Sequence, residues 1–143
     1  MDCKTAQAVE EAWAPLRPLG EAIAPYLLAA YPRTRSRQGR TALVFHSTRY
    51  ARTSQATYEL GLIALADRSF MVRYRACGVL AYSLRRDALP HLQPLASHVD
   101  PRTAEDAEAA ISAIQGGNHH LFVDRHRTGQ VHWIVNDSDR DAE

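Results

Sequence analysis

Lysine is nearly missing from this 143-residue chain: Lys4 stands alone among seventeen basic groups, and the other sixteen are arginines. Arginine carries a planar fork of donors that grips carboxylate or phosphate with two hydrogen bonds, so the bias favours fixed ionic contacts over loose tracking of a charged polymer. Cysteine is scarce too. Cys3 and Cys77 cannot make a disulfide framework, and Cys77 falls in a helix-like stretch where a buried thiol is ordinary. The longest apolar run, around Ala22–Tyr31, is short and contains Pro25, which excludes a membrane-spanning helix of the usual length. The first residues have no basic leader and no unbroken apolar stretch, so a reducing cytoplasm is the expected compartment.

The signatures of catalysis are also lacking. There is no Gly-rich phosphate loop, no His-Glu-x-x-His pair and no Gly-x-Ser-x-Gly elbow. Nothing near Cys77 supplies an activating base for a thiolate. His119, His120, His126 and His132 crowd around Asp124, but two adjacent histidines on a strand point to opposite faces, and His126 falls in a turn. Such spacing suits turn and cap hydrogen bonds better than a metal, which wants three or four convergent ligands. The expectation is a chain that is not an enzyme and holds no cofactor or metal.

What is present is a globular composition, 45% hydrophobic and 23% charged, in which charge is segregated under a net value of only +1. Residues 1–32 carry two basic and four acidic groups, residues 33–86 eleven and two, and residues 87–143 four and ten. A basic middle joined to an acidic end speaks to partners and association, not to fold.

Residues 54–117 read as four helices. Gln55–Ala66 turns Tyr58, Leu62 and Leu65 to one side, and Phe70–Leu84 does the same with Val72, Ala76, Val79, Leu80, Ser83 and Leu84. Ala88–Val99 repeats the pattern weakly through Leu89, Leu92 and Leu95. Asp100-Pro101 is a strong start signal for a helix bearing Ala107, Ala110, Ile111 and Ile114, and Gly116-Gly117 ends it. The four align as two pairs at a spacing of thirty-three residues, with Asp67 over Asp100 and Ala76 over Ala109. One such pair cannot bury its stripe alone, so pairs are expected to stack. Upstream, Ala6–Trp13, Leu16–Gly20 and Glu21–Tyr31 read as short helices divided by prolines. Arg40–Arg52 reads as another, with Leu43, Val44, Ser47 and Ala51 inward. Downstream, His120–Asp124 and Gln130–Asn136 flank a turn ending in Thr128-Gly129, and Val131, Trp133 and Val135 alternate with His132 and Ile134. That reads as a β-hairpin, followed by an acidic tail at Asp137–Glu143.

Leu65-Ala66-Asp67 followed by Val72-Arg73, Ala76 and Leu80 resembles the HEAT or armadillo-type repeat in its short form. The second unit departs from it, with Glu105-Asp106 where Val-Arg would stand. The resemblance implies a mainly α chain of stacked helix pairs over 54–117, a short α-solenoid, with irregular helices over 1–53, the hairpin over 118–136 and the tail. It also implies that Asp67 and Arg73 tie neighbouring turns together. A second resemblance lies in Gly117-Asn118-His119-His120-Leu121-Phe122-Val123-Asp124-Arg125 continuing to Thr128-Gly129-Gln130-Val131. This segment is similar to bacterial immunity proteins encoded beside secreted polymorphic toxins. Membership would imply an antitoxin that binds its cognate toxin one to one and blocks it.

The candidate contact residues come from the basic middle. Residues 22–58 contain no acidic group at all, and Arg33, Arg35, Arg37, Phe45, Arg49 and Arg52 fall inside that span. On an Arg40–Arg52 helix, Phe45, Arg49 and Arg52 share the face away from the core, an aromatic among arginines of the kind that dominates interface hot spots. Arg75, Tyr82 and Arg86 lie on the outer stripe of the Phe70–Leu84 helix, expected to line the open face of a stack. A partner protein is one occupant. The alternative is nucleic acid, because HEAT-like stacks with a basic face occur in alkylation-repair DNA glycosylases and arginines neutralise phosphates.

Overall fold

A computed structural model describes residues 6–141. Its helices are α1 (Ala6–Trp13), α2 (Ala24–Ala30), α3 (Arg37–Ser47), α4 (Gln55–Ala64), α5 (Phe70–Ser83), α6 (Leu89–Leu92), α7 (Pro101–Gly116) and α8 (Ser138–Asp141), with short 3₁₀ turns between several of them. Where the sequence carries clean caps, the helices follow them. Ser36 and Ser54 accept from Gly39 N–H and Thr57 N–H at the starts of α3 and α4, and Asp100 accepts from Arg102 N–H ahead of Pro101. Gly117 ends α7 at φ 61°, in the left-handed region. The weak stretch Ala88–Val99 is broken into α6 and a 3₁₀ turn over Gln93–Ser97, because Pro90 and Pro94 each remove an N–H from the ladder.

The helices pack as pairs. α5 lies at the centre, against α3 on one side, α7 on the other and its own partner α4 behind, while α2 packs on α4 and the α6 region on α7. The core at this centre contains Leu43, Val44, Leu60, Val72, Ala76, Val79, Leu80 and Ala110, all fully buried. Close approach of α4 to α5 needs Gly61, where an added Cβ would stand 2.8 Å from Val79 Cγ1.

An ionic ladder stitches the pairs together. The thirty-three-residue spacing extends upstream of Asp67, so that Arg40 aligns with Arg73 and Asp106. Arg40 Nε donates to Asp67 Oδ2 at 2.8 Å. One unit later, Arg73 Nη2 reaches Asp100 Oδ2 at 3.5 Å, its Nε donates to Thr103 Oγ1 and its Nη1 to the Asp67 carbonyl. At the third rung the sign is reversed, and Asp106 accepts from Arg125 Nη1 at 2.9 Å. Tyr31 O–H also donates to Asp67, and burial together with that carboxylate pushes the Tyr31 phenol upward.

The expected C-terminal hairpin is not there: among the described residues no strand occurs. His119–Phe122 is a 3₁₀ turn started by Asn118, whose side chain accepts from His120 N–H. The second segment keeps its turn residues but loses its strand partner. Its backbone donors go to side chains, Trp133 N–H to His120 Nδ1 and both Val135 N–H and Asn136 N–H to Asp139 Oδ2, each at 2.9 Å. Asp124 closes the connecting loop by accepting from Thr128 N–H, Thr128 Oγ1 and Gly129 N–H. The period-two alternation therefore marks a single irregular arm laid over α5, with Trp133 and Phe122 against Gly78. Within the acidic tail the chain turns into the short helix α8. Asp139 of α8 is 3% exposed and anchors the arm, while residues 142 and 143, like Cys3, lie outside the described residues.

Candidate functional site

The outward residues of α3 face a groove of about 320 Å³. Trp13, Leu16 and Ile23 form one wall, Trp133, Ile134 and Val135 of the arm another, and Phe45, His46 and Arg49 the base and rim. Arg17 also lines it, and none of the described lining residues is acidic. Phe45 is 46% exposed. The Arg75 guanidinium lies 4.5 Å from the Phe45 ring centroid and 5.1 Å from that of Tyr74, a cation–π arrangement that fixes both groups on the surface of neighbouring helices. His46 stacks on Trp13 with centroids 4.3 Å apart and meets Phe45 edge-on.

Of the groove's lining residues Trp13 carries a buried donor, its indole N–H, with no acceptor among the described residues; the buried Nε–H of Arg75, behind Phe45, has none either.

The other candidates separate from this site. Tyr82 is not on an open face: it is 1% exposed, because the arm crosses α5 and covers it. Its hydroxyl donates to Asp139 and accepts from Asn136 Nδ2 at 3.0 Å. Arg52 reaches the same place from the surface, its side chain 36% exposed. Its guanidinium stacks 4.0 Å over the Tyr82 ring, Nε donates to the Tyr82 carbonyl, and Nη2 donates to His119 Nδ1 at 2.9 Å. Because a guanidinium cannot accept, His119 must carry its proton on Nε2, which donates to the Trp133 carbonyl. Burial lowers the His119 pKa, which favours that neutral form. Burial alone would raise the Asp139 carboxyl, but the N–H groups of Asn136 and Val135 and the Tyr82 hydroxyl outweigh it and hold the acid low. This cluster fastens the arm.

Arg33, Arg35 and Arg37 are exposed around the start of α3, and exposed Arg68 joins them there. The acid at that end, Asp67, is taken up by Arg40, Tyr31 and Ser69 N–H, which hold its carboxyl below the ordinary range against the opposing effect of burial. Arg37 opens α3 and Arg49 lies just past its other end, so the helix, roughly 16 Å long at 1.5 Å per residue, stands between them. Arg86 is exposed in the turn after α5, apart from both groups.

His119 and His120, expected to point apart, instead lie with ring centroids 4.0 Å apart, because a 3₁₀ turn does not alternate side chains as a strand does. Among the described residues no group of three His, Cys, Asp or Glu side chains is placed to hold a metal ion. Burial pushes the Cys77 thiol up to about 12, so it stays protonated at neutral pH. The groove was only partly legible in the sequence: its arm wall came from the segment read as a strand, and Trp13 from a helix with no evident partner. No protein-family model, no curated protein and no solved structure matches this chain.

Proposed function

We propose that this chain is a non-enzymatic protein-binding module, an immunity protein that captures a cognate secreted toxin domain one to one in the cytoplasm and blocks it. The observation carrying this reading is the groove beside α3, in which a half-exposed Phe45 sits under Arg75 and beside Arg49 with no acid among the described lining residues. An aromatic anchor held rigid by its neighbours, rimmed by arginine, is what tight protein interfaces concentrate at their centres. Side-by-side helix pairs and their Arg–Asp ladder suit the HEAT-like resemblance and supply the stiff scaffold such capture needs. The experiment is to mix the purified chain with the product of the neighbouring gene and pass it through a sizing column. A single one-to-one species that protects cells from that product is expected, and two separate peaks end the reading.

A second reading, nucleic-acid binding, draws on the exposed Arg33, Arg35, Arg37 and Arg68 at the start of α3 and α5. It predicts a retarded DNA or RNA band whose affinity falls steeply with salt. The ten acidic groups beyond residue 86 weigh against it.

A further inference from the structure

We infer that the groove between α1, α3 and the arm takes an acidic segment of the partner protein, seating one apolar side chain against Phe45 with carboxylates on either side. This rests on the docking reading above and names the chemistry of what docks. The walls are apolar: Leu16, Ile23, Ile134 and Val135 line them beside the two tryptophans. A volume of about 320 Å³ is at the small end of the roughly 300–1,000 Å³ that enclose ligands. It suits a side chain and its flanking backbone, not a helix or a duplex. Chemistry at the rim then fixes the sign. Arg49 is exposed, Arg75 lies over the Phe45 ring, and no carboxylate stands among the described lining residues. Trp13, on one wall, also carries an indole N–H with no acceptor among the described residues.

A nucleic-acid base fits less well. Its usual platform is an open aromatic face, but Arg75 covers Phe45 on one side and His46 meets it edge-on. The arginines able to follow a phosphate chain, Arg33, Arg35 and Arg37, lie at the far end of α3. From there they supply a positive field that draws an acidic partner in without touching the anchor.

The test uses fluorescein-labelled peptides and fluorescence anisotropy with the full chain. The probes are DEDFEDE, its anchorless form DEDAEDE, its uncharged form NQNFQNQ, and a labelled oligothymidylate. The assignment predicts saturable binding of DEDFEDE, weaker by about tenfold for each of the two altered peptides. Phe45→Ala should match the loss seen on removing the peptide's anchor. Arg49→Glu should abolish the preference for charge, while Arg102→Gln, on α7 outside the groove, leaves affinity unchanged. Circular dichroism of each variant checks that the fold is kept. Absent binding of DEDFEDE, or binding indifferent to Phe45→Ala and Arg49→Glu, overturns the assignment, and stronger binding of the oligothymidylate gives the groove to nucleic acid. Failure here is separable from failure of the docking reading: if a toxin still forms a one-to-one complex with both groove variants, docking stands and the groove is not its seat.

Discussion

The helix pairs and the arm solve the same problem by different means. In the pairs, backbone donors and acceptors are satisfied inside each helix, and side chains are left to pack and to form the Arg40–Asp67 and Arg73–Asp100 rungs. In the arm there is no regular backbone partner, so side chains take on that work: His120 serves Trp133, Asp124 serves Thr128 and Gly129, and Asp139 serves Val135 and Asn136. Irregular chain can lie over a core only when every polar group is met in this way. The pairs should therefore behave as one cooperative unit, and the arm as a cover with its own, smaller free energy of detachment.

Paired carboxylate deletions test that division most severely. Asp67→Ala strands a buried guanidinium, the Tyr31 hydroxyl and the Ser69 N–H, and should cost about 3–5 kcal/mol, read as a lower midpoint of the whole urea transition. Asp139→Ala orphans Val135 N–H, Asn136 N–H and the Tyr82 hydroxyl and should cost about 2–4 kcal/mol, with a different signature. The near-ultraviolet signal of Trp133 and amide protection over 131–139 should fall while helical dichroism persists. If both variants simply lower one common transition, arm and pairs are a single unit and the comparison breaks.

Two glycines sharpen it further. At Gly61, between α4 and α5, an added Cβ meets Val79 Cγ1 at 2.8 Å and Leu80 Cδ2 at 3.1 Å, so Gly61→Ala should cost about 1–3 kcal/mol. At Gly78, under the arm, it meets Phe122 and Trp133 at 3.5 Å, an ordinary contact. There the gain in helix propensity should leave Gly78→Ala neutral or stabilising by up to about 1 kcal/mol. Thermal melts of the two variants give opposite answers if the arm is packed more loosely than the pairs.

Acid should act on the arm by a smaller amount. Burial lowers the His119 pKa below its ordinary 6.5, so the folded arm binds fewer protons than the detached one. Its contribution is complete above pH 6.5 and declines as pH falls below that value, because a protonated Nδ1 can no longer accept from Arg52. Amide protection factors, measured against the intrinsic rate at each pH, should fall in the arm between pH 7 and 5 while those in α5 barely change, and His119→Gln should flatten the response.

The same contrast explains what could be read from the residues alone. Helices α4, α5 and α7 were legible because period, cap and stop agree locally: Ser54, Asp100-Pro101 and Gly117 stand where the ends fall. The inward set Leu43, Val44, Ser47 and Ala51 was legible for the same reason, and all four are buried. The arm was not. Its alternation is a strand pattern in any local window, and what overrides it is a set of long-range bonds from Arg52 to His119, Tyr82 to Asp139 and Asn136 to the Arg49 carbonyl. Phe45 and Arg49 were correctly turned outward by helical spacing, whereas Tyr82 was assigned outward by a rule that holds only for a helix left uncovered.

The reversed third rung sets the direction in which this molecule could lengthen. A duplicate of residues 67–99 spliced in before Asp100 would present its own Asp67 to the existing Arg73, and its own Arg73 to Asp100, so the added layer would find matching charge on both sides. A layer appended beyond α7 would meet Asp106, already clasped by Arg125, and would offer it another carboxylate. Growth by tandem duplication is thus open in the interior and closed at the carboxyl end, and the arm doubles as the stop codon of the architecture.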